Sequence, residues 1–465
     1  MNKVRNQREV LRNWLEVVRK EDSATILWSA GYPDTYGIFE GLLAIGQQRV
    51  DKDWESLNVG DNRLRIVSLS YDVKNEIEPS LRSNNPDVFH RPIIELITPN
   101  HWEMLLRNGE IVDTEKDLTT VTSLSLGANH SLDHSVNLVE HWDGTVRLTM
   151  NLAEETDTQC TEVEKVNSLH NQASTIAGCE EHIQWKAKVS KSQYYETIAW
   201  IKSKIISGDF YEMNYCVSFE ASAEIDPYWV FEVMTQVSAA PMMTFMKRGN
   251  YYLMSSSMER YLRSDGTWLL SQPIKGTMRN TSGNNAERLQ SLADALYQSE
   301  KDKAENVMIV DLVRNDLSRI CLPDSVKVRE LCGIYAFPHV LQMISTVIGK
   351  KKSGIRFSDV IKATFPMGSM TGAPKIAVME ACEQVENFKR GLYSGSIGWI
   401  CGDCFDLNVV IRTLQFDQSL HYLQYAVGGA ITMDSIADEE YQECLAKAEA
   451  VLKTLSAAGY SISNL

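Results

Sequence analysis

No run of about 18 consecutive apolar residues occurs in the 465-residue chain, which excludes an ordinary transmembrane helix. The opening stretch, MNKVRNQREVLRNWLEVVRK, has neither an apolar centre nor a small-residue cleavage site, so it does not read as a secretory signal. Basic residues are in short supply: 46 Lys and Arg against 61 Asp and Glu give a net charge of −15. Non-specific nucleic-acid binding and attraction to an anionic membrane both require the opposite sign, so neither partner is expected. An anionic small molecule is still possible, provided that the site supplies local cations or a metal ion. The nine cysteines are odd in number and scattered, which suits reduced thiols in the cytoplasm better than a disulfide framework. Cys401-Gly-Asp-Cys404 straddles a Gly-Asp turn and lacks a second ligand pair, so it reads as a hairpin rather than a zinc or redox site. The nine histidines form no HExxH set.

At this length the chain is two to four domains or one large compound fold. The opening stretch reads as an amphipathic helix with Val4, Val10, Leu11, Trp14, Leu15 and Val18 on or near one face. ATILWSAG, RLRIVSLSYD and RPIIELITP look like strands, as does VRLTMNL after the turn at Asp143-Gly144. Residues 151–175 are polar and poor in aromatics, a linker or surface excursion. Beyond about residue 190 helical patterns alternate with paired strands. SQYYETIAWIKSKIISGDF is helical, YYLMSSSMERYL and TWLLSQPIKGT are strands, and AERLQSLADALYQSEKDKAENVMIVDLVRNDLSRI is a long helical pattern. APKIAVMEACEQVE is a helix with Pro374 in its first turn, YSGSIGWICGDCFDLNVVIRTLQFD a hairpin, HYLQYAVGGAITM a strand and DEEYQECLAKAEAVLKTL a closing helix. Helices with antiparallel strand pairs predict α+β layers rather than a doubly wound parallel sheet.

On the closing helix Glu440, Glu443 and Lys447 share one face at spacings of three and four, either a solvated acidic face or half of a metal site. Mg²⁺ takes one or two carboxylates plus substrate oxygens and water, and Glu305 is a candidate second ligand. Gly428 and Gly429 lie inside a strand pattern, where glycine marks a bulge or a close approach. Arg412, after the apolar VVI, is a surface pair or a carboxylate clamp. GSMTGAPK, with Thr371, combines glycines, hydroxyls and a helix N-terminus, the ingredients of an anion site. In QPIKGT, Lys275 is either a solvated lysine or a nucleophile whose pKa burial or a neighbouring cation lowers. Glu259, in SSSMER, is a surface ion-pair partner or a buried acid.

Taken together, GDFYEMNYC, SSSMERYL, QPIKGT, AENVMIVDLVRND, FPMGSMTGAPK, YSGSIGW, DLNVVIRTL and VGGAITMDS followed by EEYQECLAK resemble the chorismate-utilising enzymes. The resemblance runs from about residue 190 to 453 and is weaker near the N-terminus. It implies the anthranilate synthase component I-like fold, an α+β architecture of orthogonally packed antiparallel sheets flanked by helices in α/β/β/α layers. Residues 1–150 then form an N-terminal region of that fold, 151–189 a linker or surface excursion, 190–453 the chorismate-binding catalytic region and 454–465 a tail.

Within the family the likeness is strongest to members that aminate chorismate at C4, giving 4-amino-4-deoxychorismate for p-aminobenzoate and folate. Lysine in QPIKGT marks that branch, whereas the anthranilate-forming branch, the alternative, carries alanine there. The resemblance implies Mg²⁺ held by Glu305 and Glu443, with Glu440 beside them. It places Gly276, Thr277, Thr371, Tyr393, Arg412, Gly428, Gly429, Ala430 and Lys447 around the substrate, with Lys275 as nucleophile and Glu259 as general acid. Ammonia is expected from a separate glutamine amidotransferase subunit, since no nucleophilic-cysteine elbow is evident. Glu212 stands where aminating members usually have glutamine and water-adding members a base lysine. Gln342 replaces a family histidine, with His339 three residues away, and Ala430 replaces a glycine. Met258 replaces a proline, and SAAPMM (238–243) replaces the string that forms a tryptophan pocket in the allosteric members. Gln342 and Ala430 motivate an alternative of another class, a non-catalytic subunit that binds chorismate or the amidotransferase.

Overall fold

The computed structural model describes residues 2–32, 36–46, 54–58, 61–107, 109–113, 182–283, 285–337 and 340–463. The expected strand VRLTMNL, most of the linker region and His339 lie outside the described residues. Two antiparallel sheets form the centre. The first runs, in spatial order, Gly372–Ala373, Glu212–Ser222, Tyr422–Ile431, Thr413–Asp417, Tyr251–Ser255, Met243–Arg248, Ser23–Trp28, Gly41–Ile45, His101–Leu105 and Ile111–Asp113. The second runs Ile274–Arg279, Val340–Lys350, Trp268–Gln272, Arg260–Asp265, Cys404–Asn408, Ser396–Cys401, Arg65–Leu69 and Ile94–Ile97. N-terminal and C-terminal strands are thus hydrogen-bonded neighbours within both sheets.

The sheets share an apolar seam in which Leu42, Met246 and Leu253 of the first meet Ile66, Ile397 and Trp399 of the second. Helices cover the outer faces. Asn2–Arg19 buries Val10, Leu11, Trp14, Leu15 and Val18 of the expected stripe in one core with Lys191–Ser207, Pro227–Val237 and the closing helix Ala437–Ala457, the Val4 side chain lying outside what the structure describes. Glu300–Ile320 and Phe357–Thr364 cover the second sheet. The α+β class and the layered order therefore match the expectation.

Three elements differ from the sequence reading, and all three bear on the site. The long helical pattern is two helices, Ala286–Gln298 and Glu300–Ile320, broken at Ser299, whose side chain caps the second by accepting from Asp302 N. YYLMSSSMERYL is not one strand: Tyr251–Ser255 belongs to the first sheet and Arg260–Asp265 to the second, so residues 256–259 cross between them. Likewise Cys404–Asn408 belongs to the second sheet and Thr413–Asp417 to the first, so Arg412 ends a crossover, with φ +51°. The two crossovers lie side by side, Val409 N donating to Glu259 O (3.0 Å) and Ser256 N to Arg412 O (3.1 Å). A continuous apolar pattern conceals such a crossing, because a strand buried on both faces reads the same in either sheet.

One buried ion pair ties the layers beneath the site. Arg390 meets both oxygens of Glu386 (2.8 and 2.5 Å) and donates to the backbone oxygens of Met370 (2.7 Å) and Asn214 (2.8 Å). Its guanidinium lies over the Tyr71 ring, 4.4 Å from the centroid. Removing one member leaves the other charge and two carbonyls unpaired in a dry interior. Arg390→Ala should therefore cost about 3–5 kcal/mol in urea unfolding; a loss under about 1 kcal/mol would show that this junction bears little of the fold.

Candidate active site

The two crossovers, the strand Ile274–Arg279, the helix Glu300–Ile320 and the closing helix converge on a cavity of about 160 Å³. It brings together Lys275, Glu259, Gly276, Thr277, Tyr393, Arg412, Gly428, Ala430, Lys447, Glu305, Glu443 and Glu440, all expected from sequence. Thr371 and Gly429 are the exceptions. Thr371 is fully buried and its hydroxyl donates to Met367 O (2.9 Å), which holds the turn before the helix Lys375–Val385 instead of facing the cavity. Gly429 lies on the other face of its strand from Gly428, as the two-residue period of a strand requires, and a Cβ there would meet Glu440 Oε2.

Two glycines have steric reasons. Gly276 has φ +94° at a register shift between Ile274 and Thr277, and a Cβ would press on Met343 and Asp302. Gly428 sits in a strand that pairs with Glu212–Ser222 without a register shift, so it is not a bulge; a Cβ there would lie 2.6 Å from Cys216 Sγ.

The charges oppose one another in pairs. Lys275 Nζ donates to Glu212 Oε1 (2.7 Å), and Lys447 Nζ to Glu443 Oε1 (2.7 Å) and Gly428 O (2.8 Å). Lys301 Nζ and the Ser435 hydroxyl both reach Glu440 Oε1, at 3.2 and 2.7 Å. Arg412 has no carboxylate at ion-pair distance among the described residues. Its contact is Gln342, whose amide accepts from Arg412 Nη2 (3.3 Å) and donates to Thr277 Oγ1 (2.9 Å) and Gly276 O (3.2 Å) in the orientation that satisfies all three. At the other pole, Glu305 Oε1 is buried without a partner. An unpaired guanidinium and an unpaired carboxylate oxygen in one cavity call for a ligand with an anionic end and for a cation.

Proton affinities follow from this packing. Burial pushes Glu259 up to about 7, against the Ser369 hydroxyl, which donates to Oε1 (2.6 Å), and the Lys275 charge. Burial likewise lifts Glu305 to about 7, opposed by Lys275. Lys275 departs from the expectation of a burial-lowered lysine. Burial does pull it down, but Glu212, Glu305 and Glu259 outweigh that, and the ammonium is held above its ordinary value. The resting lysine is therefore an ion-paired cation.

Sequence reasoning missed Ser369, Asn214, Lys301, Asp302, Ile274 and Tyr425, which also line the cavity. Ser369 lay in the GSMTGAPK string, where Thr371 drew attention instead; Asn214 and Ile274 lay in GDFYEMNYC and QPIKGT, where Glu212 and Lys275 did, and Lys301, Asp302 and Tyr425 are ordinary residues brought in by topology. Among the described residues no three His, Cys, Asp or Glu side chains are grouped as a ready metal cage. The two carboxylates Glu305 and Glu443 still suffice for a cation that completes its shell with substrate and water.

The chain matches the family model for chorismate binding enzymes over residues 55–453. It is 36% identical over 273 residues to aminodeoxychorismate synthase component 1 of Salmonella typhimurium, covering 58% of this chain and 59% of that one. It is 33% identical over 276 residues to anthranilate synthase component 1 of Thermus thermophilus, covering 59% of each. The match thus spans about three fifths of the length of these relatives. The fold is shared with anthranilate synthase component I from Streptococcus pneumoniae, with a TM-score of 0.66, 21% identity and 92% of both chains covered.

Glu259 offers a test that needs no substrate. Its folded-state value near 7 lies above the ordinary 4.5, so the folded protein holds the extra proton between them. That contribution is complete below pH 4.5 and is lost as pH rises through 7. Relative to Glu259→Gln, the parent should lose about 3 kcal/mol of unfolding free energy between pH 4 and 8. A pH-independent difference would place the titration elsewhere.

Proposed function

The chain belongs to the chorismate-binding enzyme family, and from that premise we propose that it aminates chorismate at C4 with ammonia to give 4-amino-4-deoxychorismate. The observation that carries this reading is Lys275 facing the same cavity as Glu259, an acid held protonated near neutrality. The anthranilate-forming alternative has no use for a lysine there.

Chorismate is a dianion. Arg412, without a carboxylate of its own, receives one carboxylate, and Lys447 adds positive charge from the closing helix. Glu305 and Glu443 would hold Mg²⁺, as the unpartnered buried oxygen of Glu305 favours, with Glu440 behind them on Lys301. When bound, the ion supplies positive charge for the ring carboxylate and for charge shifting through the conjugated ring. A unit-charge contact at about 4 Å contributes roughly 4 kcal/mol at an effective dielectric of 20, enough for a few contacts to overcome the repulsion of an acidic protein.

Lys275, once neutral, attacks C2 while the ring double bonds shift and the C4 oxygen departs with a proton from Glu259. Ammonia then adds at C4 and expels Lys275. Two allylic displacements replace one difficult substitution. Ser369 keeps the Glu259 carboxyl oriented through its 2.6 Å hydrogen bond. Ammonia would come from a separate glutamine amidotransferase subunit; the words "component 1" in the Salmonella relative's name support a two-component assembly.

Mass spectrometry after incubation with chorismate, Mg²⁺ and ammonium tests the reading. The expected product is 4-amino-4-deoxychorismate, formed with ammonium but not with glutamine alone. Anthranilate would favour the alternative branch, and unchanged chorismate a binding subunit. For the metal, calorimetry of Glu443→Gln should lose the Mg²⁺-dependent part of chorismate binding; parent-like binding would remove Glu443 from the metal site.

A further inference from the structure

Glu212 lies on the strand Glu212–Ser222, whose end is closed by Gly372–Ala373. It has no solvent exposure, and its Oε2 is buried without a partner among the described residues. Its Oε1 accepts from Lys275 Nζ at 2.7 Å. A nucleophilic lysine must lose a proton before it attacks, and this lysine is buried and held as a cation. The groups that act on it are Glu212, Glu305 from the helix Glu300–Ile320, Glu259 from the crossover, and Glu443 and Lys447 from the closing helix. Of the carboxylates only Glu212 is at hydrogen-bond distance. Glu259 has to keep its proton for the departing oxygen, and Glu305 and Glu443 are the carboxylates that would hold the cation.

We infer that Glu212 is the internal proton acceptor that frees Lys275 for attack and returns the proton when Lys275 is expelled. The inference rests on Lys275 acting as the nucleophile. The proton of the Lys275 ammonium passes to Glu212 Oε1. The freed lone pair forms the Nζ–C2 bond, the double bonds shift, and the C4–O bond breaks with its electrons on oxygen, which takes the Glu259 proton and leaves as water. Ammonia then bonds to C4, and the C2–Nζ electrons return to nitrogen. Glu212 protonates the released amine, and the new ammonium group gives its extra proton to Glu259. The net change is chorismate and ammonia to aminodeoxychorismate and water, with both carboxyls restored.

An internal transfer sets no net proton free, whereas a lysine without that acceptor must release one to solvent. The experiment follows formation of the Lys275 adduct by quenched intact-protein mass spectrometry, with chorismate and Mg²⁺ but no ammonium, between about pH 6 and 8. Glu212→Gln should be at least about tenfold slower than the parent at neutral pH. The ratio of variant to parent rates should rise about tenfold per pH unit, and the Glu259 titration, common to both, cancels in that ratio. Glu212→Asp keeps an acceptor and should give a slower rate with a flat ratio, which tests the point even if the glutamine variant fails to fold. A flat ratio for Glu212→Gln, a sloping one for Glu212→Asp, or a parent-like rate for the glutamine variant would overturn the inference alone. Absence of any adduct on the parent would overturn the covalent reading and this inference with it.

Discussion

Under the proposed function, a carboxylate-rich cavity in a protein of net charge −15 would have to receive a dianion, and the pairing of charges at the site bears on that constraint. Three of the acids are matched by lysines: Glu212 by Lys275 and Glu440 by Lys301 across elements, and Glu443 by Lys447 one turn along the closing helix. Among the described residues, what is left without an opposite charge or a partner is the Arg412 guanidinium and two buried carboxylate oxygens, Glu305 Oε1 and Glu212 Oε2. These residues come from strands, crossovers and two helices far apart in sequence, so the charge balance exists only when the two sheets are correctly paired. The buried Arg390–Glu386 junction ties the first-sheet strand at Asn214 to the turn at Met370 and to the end of the helix Lys375–Val385.

Much of this was legible in the sequence, for identifiable reasons. The stripe of Val10, Leu11, Trp14, Leu15 and Val18 announced a helix because burial of one face imposes a period. The hairpin at Gly402-Asp403 followed from turn chemistry, and Cys401 pairs with Cys404 across it. Strings such as QPIKGT and SSSMER, read together, pointed to the family and to most of the cavity lining. The crossovers at residues 256–259 and 409–412 were not legible, since hydrophobicity does not record which sheet a strand joins. The break at Ser299 was missed because helical periodicity continues across it. Thr371 was misassigned because a hydroxyl beside glycines suits a turn as well as an anion site.

Two departures from the family pattern gain a physical role. Gln342 lies opposite Thr277 in the strand register and links Gly276 and Thr277 to Arg412, so an amide orients the Arg412 guanidinium at the cavity. Ala430 lines the cavity on the same strand face as Gly428. Both changes leave Lys275 and Glu259 facing the cavity together, which weighs against a subunit that only binds.

The protonation of Lys275 is where the account differs most from a sequence-level picture. Burial alone would lower the lysine's proton affinity, and the surrounding carboxylates outweigh it. The most direct test of the lysine's role is the rate of 4-amino-4-deoxychorismate formation by Lys275→Ala at saturating ammonium and Mg²⁺. The account predicts a fall of about a hundredfold or more relative to the parent, with residual turnover shifted towards amination at C2. Formation of the C4 product at the parent rate would contradict it and leave Lys275 as an electrostatic contact.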